Sequence, residues 1–284
     1  MSDVTAKGFS GWLRRIFGRG GAVVPVVRLQ GVIAPDHRPG RLNIQSVAPL
    51  LEKAFAIKGA PAVAVIVNSP GGSPVQSRLI SKRIRDLADQ YGRQVLVFVE
   101  DAAASGGYFI AVAGDEIIAD PSSIVGSIGV IYAGFGFPEA LEKLGVERRV
   151  YTAGRNKSTL DPFLPASEAD IERIKGHELD IHQIFIGHVK AMRGQRLKAD
   201  DDTLFTGEWW TGVKGLELGL VDSLGDLHQV LRERFGQDVR LKPIAAKRPL
   251  LSLPRFGFSA LGGELAGGAL SALEERALWS RFGL

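Results

Sequence analysis

The chain predicts an α/β fold built on a mainly parallel sheet. Two apolar runs, residues 62–67 and 95–99, are too evenly hydrophobic for one-sided strands and read as strands buried on both faces. Each runs into a glycine-bearing turn, Asn68-Ser69-Pro70-Gly71-Gly72 and Asp101-Ala102-Ala103-Ala104-Ser105-Gly106-Gly107-Tyr108. An amphipathic segment lies between them. Strand, turn, helix and strand then make a βαβ unit whose two turns open on the same edge of the sheet.

Composition narrows the function classes. At 284 residues with 45% apolar residues the chain has ample material for a sizeable core. Cys is absent, which excludes disulfides, thiolate catalysis and cysteine-held metals. The five histidines, His37, His177, His182, His188 and His228, form no HExxH pattern, so neither metal nor other cofactor is expected. The net charge of +4 is concentrated at the start, where Lys7, Arg14, Arg15 and Arg19 face a single Asp3. A near-neutral body disfavours nucleic acid as a partner. No run approaches the ~18 apolar residues of a membrane span, and the start has no signal-peptide core. The expected location is the cytoplasm.

Three regions follow: an arm at 1–21, a main domain at 22–245 and a tail at 246–284. In the arm, Phe9, Trp12, Leu13, Ile16 and Phe17 share one helical face with arginines around it. Such a helix suits either the inner face of a membrane, as a peripheral contact, or a protein surface. The main domain opens with a strand over residues 22–33, broken at Pro25. A helix over 44–57 presents Ile44, Val47, Leu51, Ala54 and Phe55. The helix after Gly72 is expected to turn Val75, Leu79, Ile84, Leu87 and Tyr91 inward. Further strands are expected at 116–119 and 148–151, and Pro138 opens a helix with Leu141 and Leu144 inward. The longest helix spans 167–192 behind a Ser167 cap. In the tail, Gly262-Gly263 and Gly267-Gly268 interrupt apolar residues, after which Leu270, Leu273, Leu278 and Phe282 can line a short helix. That composition suggests contact with another subunit or a membrane.

Ser105 stands on the turn between a buried strand and a helix, where small neighbours let a substrate backbone approach and helix N–H groups converge. This is how a nucleophile and half of an oxyanion hole can be built together. On the octapeptide alone a helix N-cap is the simpler reading. A nucleophile also needs a base. No histidine lies between His37 and His177, and His177, His182 and His188 read as exposed positions of the long helix. Lys143 belongs to the solvent face of the Pro138 helix, whereas Lys157 lies in the polar loop Gly154-Arg155-Asn156-Lys157-Ser158. A lysine serves as base only in a closed apolar site that lowers its pKa from ~10.4. By itself Lys157 reads as a solvated loop residue.

Five segments, taken in order, resemble the signal peptide peptidase A (SppA-type) Ser-Lys proteases of the Clp/crotonase superfamily. They are residues 67–72 (Val-Asn-Ser-Pro-Gly-Gly), 104–108 (Ala-Ser-Gly-Gly-Tyr), 126–130 (Gly-Ser-Ile-Gly-Val), 154–158 (Gly-Arg-Asn-Lys-Ser) and 219–225 (Gly-Leu-Val-Asp-Ser-Leu-Gly). Each motif is weak alone, but together they span roughly residues 23–235. The resemblance implies a Clp/crotonase-like fold of repeated ββα units in a single main domain. It implies Ser105 as nucleophile, Lys157 as general base and Ser127 as the hydroxyl that orients the lysine amine. The oxyanion donors would be the N–H groups of Gly71 and Gly106, with Gly72 the weaker choice for the first and a substrate-contacting position. It also implies a homo-oligomer in which neighbouring chains complete one another's sites. Membrane-anchored relatives carry an N-terminal spanning helix, a feature absent from this sequence.

The expected function is that of a serine endopeptidase cleaving unfolded apolar peptides, such as signal-peptide remnants, through an acyl-enzyme. Two alternatives stand beside it. A crotonase-like acyl-CoA enzyme would share the glycine oxyanion hole but leave Ser105 and Lys157 idle. A catalytically silent membrane-associated scaffold would use only the two amphipathic ends.

Overall fold

The computed structural model describes residues 21–36, 38, 40–245 and 275–284. The basic arm and the glycine-rich part of the tail, including Leu270 and Leu273, lie outside the described residues. In chain order the first half holds β1 (Val23–Gln30), β2 (Val32–Ile33), β3 (Arg41–Leu42), α1 (Ile44–Phe55), β4 (Ala62–Ser69), α2 (Pro74–Tyr91), β5 (Gln94–Ala104) and α3 (Gly106–Ala111). There follow β6 (Glu116–Ala119), β7 (Ile124–Gly126), α4 (Pro138–Lys143), α5 (Glu168–Arg193) and α6 (Asp201–Leu204). The second half closes with β8 (Trp209–Thr211), α7 (Gly212–Leu218), β9 (Ser223–Leu224), α8 (Leu227–Phe235) and β10 (Arg240–Pro243), and a last helix, α9, covers residues 275–280.

The main sheet runs β10-β1-β4-β5-β6-β9, with β7 joining the end of β5 and β8 pairing with β7. Every pairing along the path is parallel; only β7 against β8 is antiparallel. The expected parallel sheet is present, and its two central strands are the two apolar runs. All eight residues of β4 are buried, because α1 and α2 cover one face with Val47, Leu51, Phe55, Ile80 and Ile84 while α8 covers the other with Val230 and Leu231. Each fully buried aliphatic side chain contributes about 1.5–3 kcal/mol. This burial on two faces explains the uninterrupted hydrophobicity.

Several expectations are corrected. The first strand breaks at Gly31 (φ +110°), not at Pro25, which is tolerated because pairing with β4 begins only at Val26. Helix α2 buries Ser77, Ile80, Ser81, Ile84, Leu87 and Ala88, so Leu79 is only half-buried and Val75 and Tyr91 lie outward. Small residues on the inner face are the reason: Ser77 lies so near Gly106 that a Cβ there would collide with its Oγ. Leu144 is 74% exposed, and residues 148–151 form no strand. Arg148 instead pairs with Asp161 at 2.6 Å and covers the Phe163 ring. Helix α5 starts where expected, with the Ser167 side chain accepting from the Asp170 N–H.

The segment 219–225 is a strap behind α3. Gly219 ends α7 in the left-handed region, and its carbonyl accepts from Arg193 Nη2 at 2.7 Å. Asp222 accepts from Arg193 Nη1 at 2.7 Å, from Nη2 at 3.0 Å and from the Ile117 N–H at 2.7 Å. Tyr108, three residues after Ser105, donates its hydroxyl to Leu220 O at 2.7 Å. Burial opposes the charge on Asp222, but the Arg193 hydrogen bonds, the Ile117 N–H and the charges of Arg193 and Arg196 outweigh it and hold the carboxyl below its ordinary pKa. Arg193 is buried, so removing its partner strands a cation. Asp222→Ala is expected to destabilise the fold by roughly 3 kcal/mol in urea titration at neutral pH. Because the folded-state pKa is depressed, the contribution is complete above the unfolded carboxylate range of about 4 and fades as pH falls through the folded value. The gap between wild type and Asp222→Ala should therefore narrow in acid; a gap constant down to pH 3 would refute this role.

Candidate active site

Strand β5 carries the chain through Ala102, Ala103 and Ala104, all buried, and sets Ser105 at φ +51°, ψ −120°. A non-glycine residue there costs on the order of 1–3 kcal/mol. Two backbone bonds hold it: the Ser105 N–H donates to Gly126 O at 2.9 Å, and the Phe109 N–H donates to Ser105 O at 2.9 Å. Although Ser105 occupies the N-cap position of α3, its side chain makes no capping hydrogen bond. The cap reading therefore does not account for the hydroxyl.

Ser127 is the second strained serine, with φ +54°, and it is buried. Its N–H donates to Glu208 O at 2.7 Å, across the β7–β8 pairing that turns the chain back beside Ser105. Both serines line one cavity of about 510 Å³ together with Gly72, Val130, His182 and Arg281. A second, mainly apolar pocket of about 260 Å³ adjoins Ser105 and Gly106 and is walled by Val75, Phe109, Val130, Ile181, Ile184 and Phe185. A further cavity of about 710 Å³ beside α4 and α5 contains neither serine.

The two glycine turns meet at Ser105. Gly71 has φ +103°, and a Cβ on it would lie 2.8 Å from both Gly106 N and Ser105 Cβ. Its N–H, however, donates to Ser69 Oγ at 3.2 Å. The loop runs beside β2, where the Ile33 N–H donates to Gly71 O and the Ser73 N–H to Ile33 O, both at 2.8 Å. That pattern leaves the Gly72 N–H pointing away from β2, and Gly72 N lies 3.3 Å from the position of a Cβ on Gly106. Among the described residues neither the Gly72 nor the Gly106 N–H has an acceptor. The open donor pair beside Ser105 is thus Gly72 with Gly106, where the sequence favoured Gly71 with Gly106.

Lys157 is not at Ser105 within this chain. It is exposed on the 155–160 turn, its N–H donates to Gly154 O at 3.2 Å, and it lines neither cavity at the serine. Two histidines read as exposed are half-buried. His182 places Nε2 2.9 Å from Ile128 O, next to Ser127. His188 places Nε2 3.1 Å from both Phe109 O and Ser81 Oγ and stacks on the Phe109 ring, with centroids 4.0 Å apart. Burial pushes the His188 pKa down, the Phe109 carbonyl opposes that, and Arg78 adds to it. Nothing in the local sequence distinguishes these two from exposed His177; the other wall, not the helix periodicity, decides. Among the described residues no three His, Asp or Glu side chains gather to hold a metal ion, and no helix is long and apolar enough to cross a membrane.

A serine on a strained turn between a parallel strand and a helix, with open N–H donors and an apolar pocket beside it, is an arrangement that serine-type peptidases use. Residues 88–240, just over half of the chain, match Peptidase family S49, and the chain belongs to that family, as an SppA-type member. A Brucella abortus protein named Na(+)/H(+) antiporter NhaA is 55% identical over 272 residues, covering 92% of this chain but 37% of that protein. The antiporter name describes a protein most of which lies outside the match. The Arabidopsis thaliana serine protease SPPA, chloroplastic, is 27% identical over 286 residues, covering 94% of this chain and 41% of that one. The chain therefore spans well under half the length of these curated relatives. Among solved structures, the 1510-N membrane-bound stomatin-specific protease aligns with a TM-score of 0.50 at 16% identity, covering 80% of this chain and 99% of the other. The fold is the Clp/crotonase-like one.

Gly71 tests the assembled turns directly. Gly71→Ala is expected to slow labelling of Ser105 by a fluorophosphonate about a hundredfold, the scale of losing an oxyanion-hole contact, because the new methyl displaces Ser105 and Gly106. Unchanged labelling would separate the glycine turn from the nucleophile.

Proposed function

We propose that the chain is a serine endopeptidase that cleaves unfolded, apolar peptides through an acyl-enzyme on Ser105. The observation that carries this reading is the free Ser105 hydroxyl on a strained turn between two open N–H donors and an apolar pocket. A neutral lysine amine takes the Ser105 Oγ proton as the oxygen attacks the scissile carbonyl. The Gly72 and Gly106 N–H groups receive the oxyanion, and Gly71 holds the two turns together. The leaving amine takes the proton back, and water, deprotonated by the same lysine, releases the acyl group. Signal-peptide remnants fit the apolar pocket as substrates.

Lys157 supplies that amine from a neighbouring copy of the chain. Its exposure and its absence from the Ser105 cavities support action in trans, as does the exposed apolar stretch before it, with Phe135 83% and Tyr151 90% exposed. A neighbour covering this stretch would also dry the amine, which a lysine base requires. Ser127, which lines the Ser105 cavity, orients the incoming amine in this reading. An acyl-CoA enzyme has no use for an unbonded Ser105 hydroxyl, and a silent scaffold has no use for the strain at that residue.

Ser105→Ala and Lys157→Ala are each expected to lose peptide hydrolysis while keeping the wild-type melting temperature. Mixing the two inactive proteins, after dissociation and reassembly, should restore roughly a quarter of the activity in a random dimeric pairing, since some sites then combine an intact Ser105 with an intact Lys157. Full activity of Lys157→Ala alone would remove the lysine from the mechanism. Mixed proteins that remain inactive would reject its action in trans.

A further inference from the structure

The C-terminal helix forms one wall of the cavity that holds both strained serines. Leu278, Arg281 and Phe282 line it opposite Ser105 and Ser127. Phe282 is buried on Ala102, Ala104 and Ile124, the residues directly behind the nucleophile, and meets the Trp209 ring edge-on with centroids 6.1 Å apart. Trp279 packs on the same cluster. Arg281, next to that buried ring in the chain, stands exposed at the cavity rim.

Charge on this cavity is one-sided. Among the described residues Arg281 and His182 are its only titratable lining groups, and no Asp or Glu lines it. Among the described residues no carboxylate pairs with Arg281. The adjoining pocket, which shares Ser105 and Val130 with this cavity, is walled mainly by aliphatic and aromatic side chains, with Arg78 at its edge as its one charged lining residue. A guanidinium at a cleft lined by hydroxyls and apolar side chains and by no carboxylate is a ready donor site for a carboxylate, whose geometry its planar fork matches.

We propose that Arg281 is a specificity-determining residue that reads a substrate carboxylate, on the side of the scissile bond away from the apolar pocket. The proposal rests on the peptidase reading above. It makes the preferred substrate bipartite: apolar residues in the pocket beside Phe109 and Phe185, and an acidic side chain or a free peptide C-terminus in the serine-lined cavity. His182 stays with Ile128 O and leaves Arg281 as the anion's partner.

The test uses the full chain and quenched fluorescent peptides with one common apolar half, carrying Glu, Gln or Lys in the other half and an amidated end. A further Gln peptide has a free C-terminal carboxylate. The wild type should cleave the Glu peptide about tenfold better in kcat/KM than the Lys peptide. A larger gain for the free-acid Gln peptide would identify the terminal carboxylate as the group read. Arg281→Glu should invert the Glu-to-Lys order, Arg281→Lys should keep it, and Phe282→Ala should flatten it by releasing the helix. Equal cleavage of all peptides by the wild type, or an order unchanged in Arg281→Glu, would overturn the proposal. Binding of the same peptides to Ser105→Ala separates the two readings. Charge-dependent binding without cleavage by the wild type rejects the peptidase reading alone; cleavage and binding blind to charge reject the Arg281 subsite alone.

Discussion

The structure depends on one close approach: the backbone of Gly71 against Ser105 and Gly106 at the carboxyl ends of β4 and β5. Parallel pairing puts both strand ends on the same edge, and the register shift between Val67 and Ser69 lets β5 run on to Ala104 while β4 stops. Asn68 secures the offset, donating to Asp101 Oδ2 at 2.6 Å and accepting from the Ala102 N–H at 3.2 Å. A side chain at 71 would force the turns apart, because it would meet the Gly106 N and Ala104 O of the facing backbone, and one at 106 would strike the Ser77 hydroxyl and Ile33. Glycine is thus required by distance as much as by φ.

From that contact the supporting network runs in two directions. Behind α3, Tyr108 reaches Leu220, and the strap it touches is pinned by Arg193 and Asp222. Beside it, His188 joins α5 to α2 and α3 through Ser81 and Phe109, and Phe109 packs on Phe185 at 5.1 Å. The apolar pocket and the serine are therefore held by the same helices. A change in packing at Phe109 alters pocket shape and nucleophile position together.

The parallel sheet was legible because β4 and β5 are buried on both faces and carry no competing pattern. The turns at Gly71 and Ser105 were legible as turns, and the order of motifs pointed to the family. Which N–H is open was not legible: Gly71 and Gly72 are identical side chains, and only the pairing of Ile33 with the loop turns one donor inward and the other out. The face of α2 was misread because Ser77 and Ser81, polar in sequence, are buried against Gly106 and His188 and displace Leu79 as core. Leu144 was misread because a helix of six residues offers periodicity with no wall to pack on.

The same limit bears on the residues between Ser127 and α5. Strand periodicity around 148–151 and helix periodicity after Pro138 anticipate a buried partner, yet within this chain Tyr132, Phe135, Leu144, Val146 and Tyr151 all face outward. A single chain cannot offset that much apolar exposure by its own folding, since the hydrophobic contribution scales with area removed from water. Apolar patterning reports that a surface is to be covered; it does not say which chain covers it. Lys157 follows this stretch, so the position of the proposed base is set by whatever packs there, while Ser105 is set by the sheet. The two halves of the proposed dyad thus answer to different constraints. In the proposed mechanism the serine side is set within one folded chain, and the lysine side takes its geometry from whatever buries the exposed stretch.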